Sequence, residues 1–302
     1  MNLSRRRFLA ISACAMLPAA SPPPERLVWR GVALGADASI TLEGPRARTE
    51  PALAGALAAI EEAAAQFSLH DPASAISRLN RAGRLDAPSG AMTSLLETCR
   101  VVHRATDGLF DPTVQPVWQA LATGGDPATA RRTVGFGRVR LGADAILLGA
   151  GQALTLNGIA QGFATDRVAD ALRASGLKDV LVDMGEFRGA GRVWRLGIAD
   201  AAGEMIGDLR LRDGAVATSS PRATEIGQGQ PHILDPQGRR GPAWRTVTVE
   251  AATAVLADAL STAFALSTVG EIERVAQRLP GVRRVWLEDE GRRLSRLDLA
   301  SR

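Results

Sequence analysis

In 302 residues this sequence has no tyrosine, one lysine (Lys178), three histidines and two cysteines. Without tyrosine, a phenolic general acid and a common stacking ring are excluded from any mechanism. Two cysteines, Cys14 and Cys99, cannot build a zinc or iron–sulfur cluster. Cys99 falls in an apolar helical pattern and reads as a small buried hydrophobe. An excess of either charge is nearly lacking: Lys+Arg 36 against Asp+Glu 32 leaves +4. Although the pI is about 10.2, no basic run interleaved with aromatics follows the first residues, which excludes nucleic acid as a partner. No G-x-G-x-x-G follows a strand, so neither a dinucleotide fold nor a P-loop is supported. The composition, 46% hydrophobic and 23% charged, excludes disorder and a disulfide-stapled miniprotein.

What is present begins with a leader. Arg5, Arg6 and Arg7 precede Phe8-Leu9 and a modest apolar run to Ala20, the charged start, short apolar core and small-residue end of a secretory signal. Ser4-Arg5-Arg6-Arg7-Phe8-Leu9 resembles the twin-arginine export signal, which implies a periplasmic protein. The run is too short to span a bilayer. Cleavage is expected near Ala20, ahead of a Pro-rich spacer at 21–27. Ile11-Ser12-Ala13-Cys14 offers the alternative of a lipoprotein box, with Cys14 as a lipid anchor and the only route to membrane attachment. Residues 1–20 hold three arginines and no acid, so the chain without them carries +1.

The remaining 28–302 read as one domain of α+β class, with mixed or antiparallel sheets flanked by helices. Val28–Leu42 predicts strand with a turn near Gly35. Helices are expected over Pro51–Gln66 (Pro in the first turn), Ser74–Asn80, Ser89–Ala105 (Ser89 as N-cap), Ile159–Ser175, Thr253–Ser267 and Gly270–Leu279. Residues 108–113 read as a loop and about 123–151 as an irregular insertion with short strands. Strands are expected at 153–156, 180–183, 194–198, 204–211, 215–218, 247–250 and 283–287.

Four polar clusters interrupt the apolar background. Asp258 and Thr262 stand four residues apart, on one helix face, and offer the hard oxygens that magnesium takes alongside carbonyls, water and phosphate. The alternative is a solvent-facing Asp with a Thr bonded to its own backbone. Thr155 to Gly162 passes from strand to helix through Asn157-Gly158, presenting free backbone groups and a helix N-terminus. His232, in His232-Ile233-Leu234-Asp235-Pro236, is a candidate base near neutral pH. Thr218-Ser219-Ser220 places hydroxyls at a strand end. Together they describe a magnesium–phosphate site.

These stretches occur in one order with Asp71–Asn80, Thr106–Val114 and Val182-Asp183-Met184-Gly185-Glu186, and the set resembles the FAD:protein FMN transferases of the ApbE family over roughly residues 28 to 290. The resemblance implies the T-fold-like architecture of that family. It implies FAD as substrate, magnesium as cofactor, and transfer of FMN to a Thr or Ser hydroxyl of an acceptor protein with release of AMP. The implied acceptor is a subunit of a membrane redox complex facing the export side. It further implies Asp258, Thr262 and the carbonyl of Gly158 as magnesium ligands and His232 as the residue near the transferred phosphate. Leu34, Leu109, Phe110, Asp111, Thr155, Gln161, Ile233 and Ser261 fall at FAD-contacting positions, and His70 and Ser219 join the cofactor-binding set. This chain departs from the family at Thr155, where an acid is usual, at Gln161, where Lys or another charge is usual, at His70, where an aromatic is usual, and at Met184 in place of a glycine. Two other functions share these residues: an FAD pyrophosphatase yielding FMN and AMP, and a non-catalytic flavin carrier.

Overall fold

The computed structural model describes residues 25–299; the leader, Cys14 and most of the 21–27 spacer lie outside the described residues. The chain opens with a hairpin, β1 (Arg26–Ala33) and β2 (Ala36–Glu43), joined by Leu34-Gly35. Both turn residues have positive φ, +50° and +86°, the condition for the primed turn whose twist matches a two-residue hairpin. Leu34 therefore carries strain that a glycine there would not.

The hairpin edges an eight-stranded sheet in the order β1, β2, β6 (Val180–Asp183), β7 (Phe187–Ala190), β10 (Gly214–Ser219), β13 (Thr246–Ala251), β14 (Val282–Glu288) and β15 (Leu294–Asp298). All its neighbouring strands pair antiparallel. β13 is buried along its whole length, as a strand covered on both faces must be. One face carries α1 (Arg46–Phe67), α6 (Ala160–Ala174) and α7 (Ala254–Phe264). The other is covered by the hairpin β8 (Trp194–Ala199) and β9 (Met205–Leu211), whose Leu196, Ile198, Leu209 and Leu211 pack on Val216 and Trp286. Around the helical layer lie α2 (Ala75–Ala82), α3 (Gly90–Ala105), α4 (Gln115–Thr123), α5 (Pro127–Arg131) and α8 (Val269–Arg278). A small sheet is formed by β3 (Arg84–Asp86), β5 (Ala145–Leu147) and β4 (Arg140–Leu141); β11 (Glu225–Ile226) and β12 (Gln230–Pro231) make a short ribbon.

The α+β class and the antiparallel sheet agree with the sequence reading, and Ser89 caps α3 by accepting from the Met92 N–H at 3.1 Å. Two local expectations change, and three elements are added. Residues 153–156 form no strand: the Asn80 side chain donates to the Leu154 carbonyl (2.8 Å) and accepts its N–H (2.7 Å), while the Thr155 N–H goes to the Pro112 carbonyl (2.8 Å). A backbone satisfied in this way has no need of a neighbouring strand. The first long helix starts at Arg46, so Pro51 sits inside it; buried Thr49 and Ala52 anchor the extra turn. α4 follows the 108–113 loop directly, and β7 and β15 complete the sheet; the sequence reading had none of the three.

Candidate functional site

α6 and α7 hold each other's N-termini. Neither helix has a side-chain cap of its own, and the first N–H groups of a helix lack partners within it. Asp166 of α6 accepts from the Ala254 and Val255 N–H groups of α7, each at 2.9 Å. In return Asp258 of α7 accepts from the Gly162 N–H of α6 at 2.9 Å. Such an approach requires a glycine: a Cβ on Gly162 would lie 2.3 Å from the Ala254 carbonyl oxygen and 2.8 Å from Asp258 Cβ. One turn along α7, Thr262 abuts Gly158, where a Cβ would come within 2.7 Å of the threonine hydroxyl oxygen. Asp258, Thr262 and Gly158 thus meet at the start of α6.

These residues open onto a cavity of about 740 Å³. Of the residues singled out in the sequence, His70, Leu109, Phe110, Asp111, Thr155, Gly158, Gln161, Ser219, His232, Ile233, Asp258 and Thr262 line it. Leu34 does not; it lines an adjoining cavity of about 150 Å³ that shares Leu69, His70, Asn157 and Gln161 with the first. Ser261 lies fully buried behind the wall. Its hydroxyl donates to the Asp258 carbonyl at 3.0 Å, so that of Ser219, 2.8 Å away, is the donor between the two serines.

Asp258 is only 3% exposed, which overturns the solvent-facing alternative, and burial pushes its carboxyl up to about 7. Glu186 lies in the same wall, 6% exposed, and its carboxyl is raised well above the ordinary glutamate value by burial first and by the Asp258 charge second. Sequence reading quoted Glu186 within its motif and assigned it no role; an acid following the Gly185 turn was the available signal. The cavity also takes Gln115 and Trp118 from α4, which that reading lacked.

Elsewhere in the wall the polar groups are oriented by the backbone. His232 Nδ1 lies 3.1 Å from the Thr224 carbonyl. A carbonyl only accepts, so Nδ1 carries a proton, and in the neutral ring the lone pair is on Nε2. Asp235 is unavailable as a substitute base, because its carboxylate accepts the Gln237, Arg239 and Arg240 N–H groups at 2.8–3.0 Å. Asp111 is likewise committed to backbone and loop donors, accepting from the Thr113 N–H and hydroxyl in its own loop and from the Phe136 N–H 25 residues on.

The wall holds four carboxylates, Asp111, Glu186, Asp200 and Asp258, and among the described residues no lysine or arginine. Among those residues, too, no group of three or more His, Cys, Asp or Glu side chains is arranged around a metal position. A hard cation of the magnesium class needs only one or two carboxylates, with hydroxyl, carbonyl and ligand oxygens completing its shell. Asp258, Thr262 and the Gly158 carbonyl fit such an ion, and the cost of burying Asp258 without a cationic partner is the physical reason to expect one.

Sheet, paired helices and cavity define an α+β protein whose principal cavity presents carboxylates and hydroxyls at a helix N-terminus. The chain belongs to the ApbE family, whose model matches residues 34–286. No curated protein matches it. Its fold is that of solved ApbE structures. The flavinyl transferase ApbE of Pseudomonas stutzeri in its apo form is 23% identical, with 92% of this chain and 96% of that one covered and a TM-score of 0.77. An ApbE protein of Thermotoga maritima is 24% identical, with 90% and 97% covered and a TM-score of 0.79. The flavin transferase ApbE of Vibrio cholerae is 22% identical, with 92% and 98% covered and a TM-score of 0.78.

Proposed function

We propose that the chain is an FAD:protein FMN transferase. It takes FAD and a divalent cation, moves FMN to a Thr or Ser hydroxyl of an acceptor protein, and releases AMP. The observation that carries this reading is the cavity, in a chain of the ApbE family: large enough for a dinucleotide, lined by carboxylates and hydroxyls, and, among the described residues, without a lysine or arginine to neutralise a pyrophosphate. The donor, the cation and the flavinyl transfer all follow from that reading.

The reaction forms a bond between the acceptor hydroxyl oxygen and the FMN phosphorus and breaks the bond from that phosphorus to the bridging oxygen, which leaves with AMP. Asp258, Thr262 and the Gly158 carbonyl would hold the cation, which when bound supplies positive charge to the phosphate oxygens. His232 Nε2, with its lone pair fixed by the Nδ1–H bond to Thr224, takes the proton from the acceptor hydroxyl. Leu109, Phe110 and Ile233, each under 10% exposed, give the cavity its apolar walls, and Leu34 with Phe67 does so in the adjoining one, where a flavin ring without a tyrosine to stack on would be held by aliphatic and phenyl contact. Gln161 sits at the junction of the two cavities.

Export through the twin-arginine leader, and an acceptor in a membrane redox complex, belong to the same proposal. The experiment is incubation of the chain with FAD, magnesium and a candidate acceptor. A covalent adduct carrying the mass of FMN, with AMP released, is expected; FMN free in solution without adduct would replace the reading with a hydrolase, and unchanged FAD with a carrier.

A further inference from the structure

Glu186 is the wall carboxylate that the fold satisfies least: it has the backbone N–H of Thr218 and, among the described residues, no cation. Asp111 is committed to backbone and loop donors, Asp200 accepts from the Ala202 and Glu204 N–H groups and meets Arg292 at 2.6 Å, and Asp258 has the Gly162 N–H. Glu186 Oε2 is buried and has no hydrogen-bond partner among the described residues. No arginine or lysine forms an ion pair with Glu186 there; the nearest basic residue in sequence, Arg188, pairs with Asp166 at 3.4 Å and donates to the Ala252 carbonyl. A buried carboxylate without a cation is costly, and the second one near it, Asp258, raises that cost.

Building on the cation site proposed above, we infer that Glu186 is a further ligand of that site, so that the divalent ion is held between two carboxylates, one from the turn after β6 and one from α7. The turn is shaped for it: Gly185, at φ +90°, lets the chain reverse between Asp183 and Glu186. The turn is closed by its own backbone, the Glu186 carbonyl accepting the Met184 N–H at 3.2 Å. The ion then links the sheet to both helices, and its removal leaves two buried acids in mutual repulsion.

The test is titration of the full chain with Mn²⁺ alone, without nucleotide, followed by calorimetry and by the paramagnetic signal of free Mn²⁺, for the wild type, Glu186→Gln, Glu186→Asp and Asp258→Asn. Expected is roughly 10–100-fold weaker binding for Glu186→Gln, in the range that lost metal-site support produces, and partial recovery for Glu186→Asp. Glu186→Gln is also expected to melt at a higher temperature than wild type in chelator, because a buried charge is gone, and to gain less from added Mn²⁺. A purely structural role would lower the melting temperature instead. Wild-type affinity in Glu186→Gln, or no Mn²⁺ binding by the wild type, would overturn the inference. Intact Mn²⁺ binding with no flavin transfer would sink the transferase reading and leave Glu186 as a ligand.

Discussion

At the residue scale, His232 and Asp258 are prepared in opposite ways. His232 keeps a free Nε2 because a carbonyl fixes the proton on Nδ1. With Asp235 committed to three backbone donors, no neighbouring carboxylate replaces it. His232→Ala is therefore expected to lower the rate of FMN transfer by about 10²–10⁴-fold while leaving the affinity for FAD within a few-fold, as separate turnover and fluorescence titrations would show. Asp258 is buried at a cost. Its carboxyl rises from 3.8 in the unfolded chain to about 7, so the folded state binds the extra proton between those values. Stability of the metal-free protein is then highest at low pH within that window and falls as pH rises through about 7. Melting temperatures measured in chelator from pH 4 to 8 should show this decline, and Asp258→Asn should flatten it. A decline of equal slope in the variant would contradict the assignment. Asp258 and His232 were both legible as candidates from their types and spacing. The free lone pair and the burial were not, since each depends on residues far away in sequence.

At the element scale, the crossing of α6 and α7 makes the site, and it rests on reciprocal carboxylate caps. Asp166→Ala removes the acceptor for two N–H groups of α7 and should cost about 1–2 kcal/mol, as loss of a helix cap does, measurable by urea unfolding. Gly162→Ala forces a Cβ onto the Ala254 carbonyl and Asp258 Cβ; a loss of about 1–3 kcal/mol, the range for overpacking, should come with weaker cation binding. The main helices showed in the sequence because their apolar spacing is local, and Ser89 marked its own cap. The non-strand at 153–156 was illegible for the converse reason: the partner that satisfies it, Asn80, stands 74 residues away. β7, only four residues long and centred on Gly189, has too little pattern to be read alone.

At the scale of the whole molecule, charge and cavity fit together. The chain has 36 basic residues, yet none lines the principal cavity among those described, so the negative charge of a pyrophosphate has no protein cation to meet. FAD affinity should accordingly fall by tenfold or more when chelator removes divalent ions, whereas riboflavin, which carries no phosphate, should bind equally well with or without them. Parallel flavin-fluorescence titrations would check this, and an equal loss for both ligands would point instead to a general loosening of the site. The second layer contributes too: the β8–β9 hairpin covers the sheet face opposite the helices, and its tip, Ala199 to Ala201, forms part of the cavity wall.

Sequence alone determined the α+β class, most of the helices and the family resemblance, and it singled out Asp258, Thr262 and His232 as candidates, because spacing along a helix and the order of short motifs are written locally. The missing tyrosines, too, already excluded a stacking phenol from the cavity wall. Tertiary structure decided which of those polar residues share a cavity, which carboxylates are already satisfied by backbone N–H groups, and which one, Glu186, keeps a buried oxygen with no partner among the described residues. Desolvation and hydrogen-bond satisfaction depend on what surrounds a group in three dimensions, and here those surroundings come from segments far apart in the chain: Gly162 and Asp258 are 96 residues apart, and the cavity wall joins His70 to Thr262.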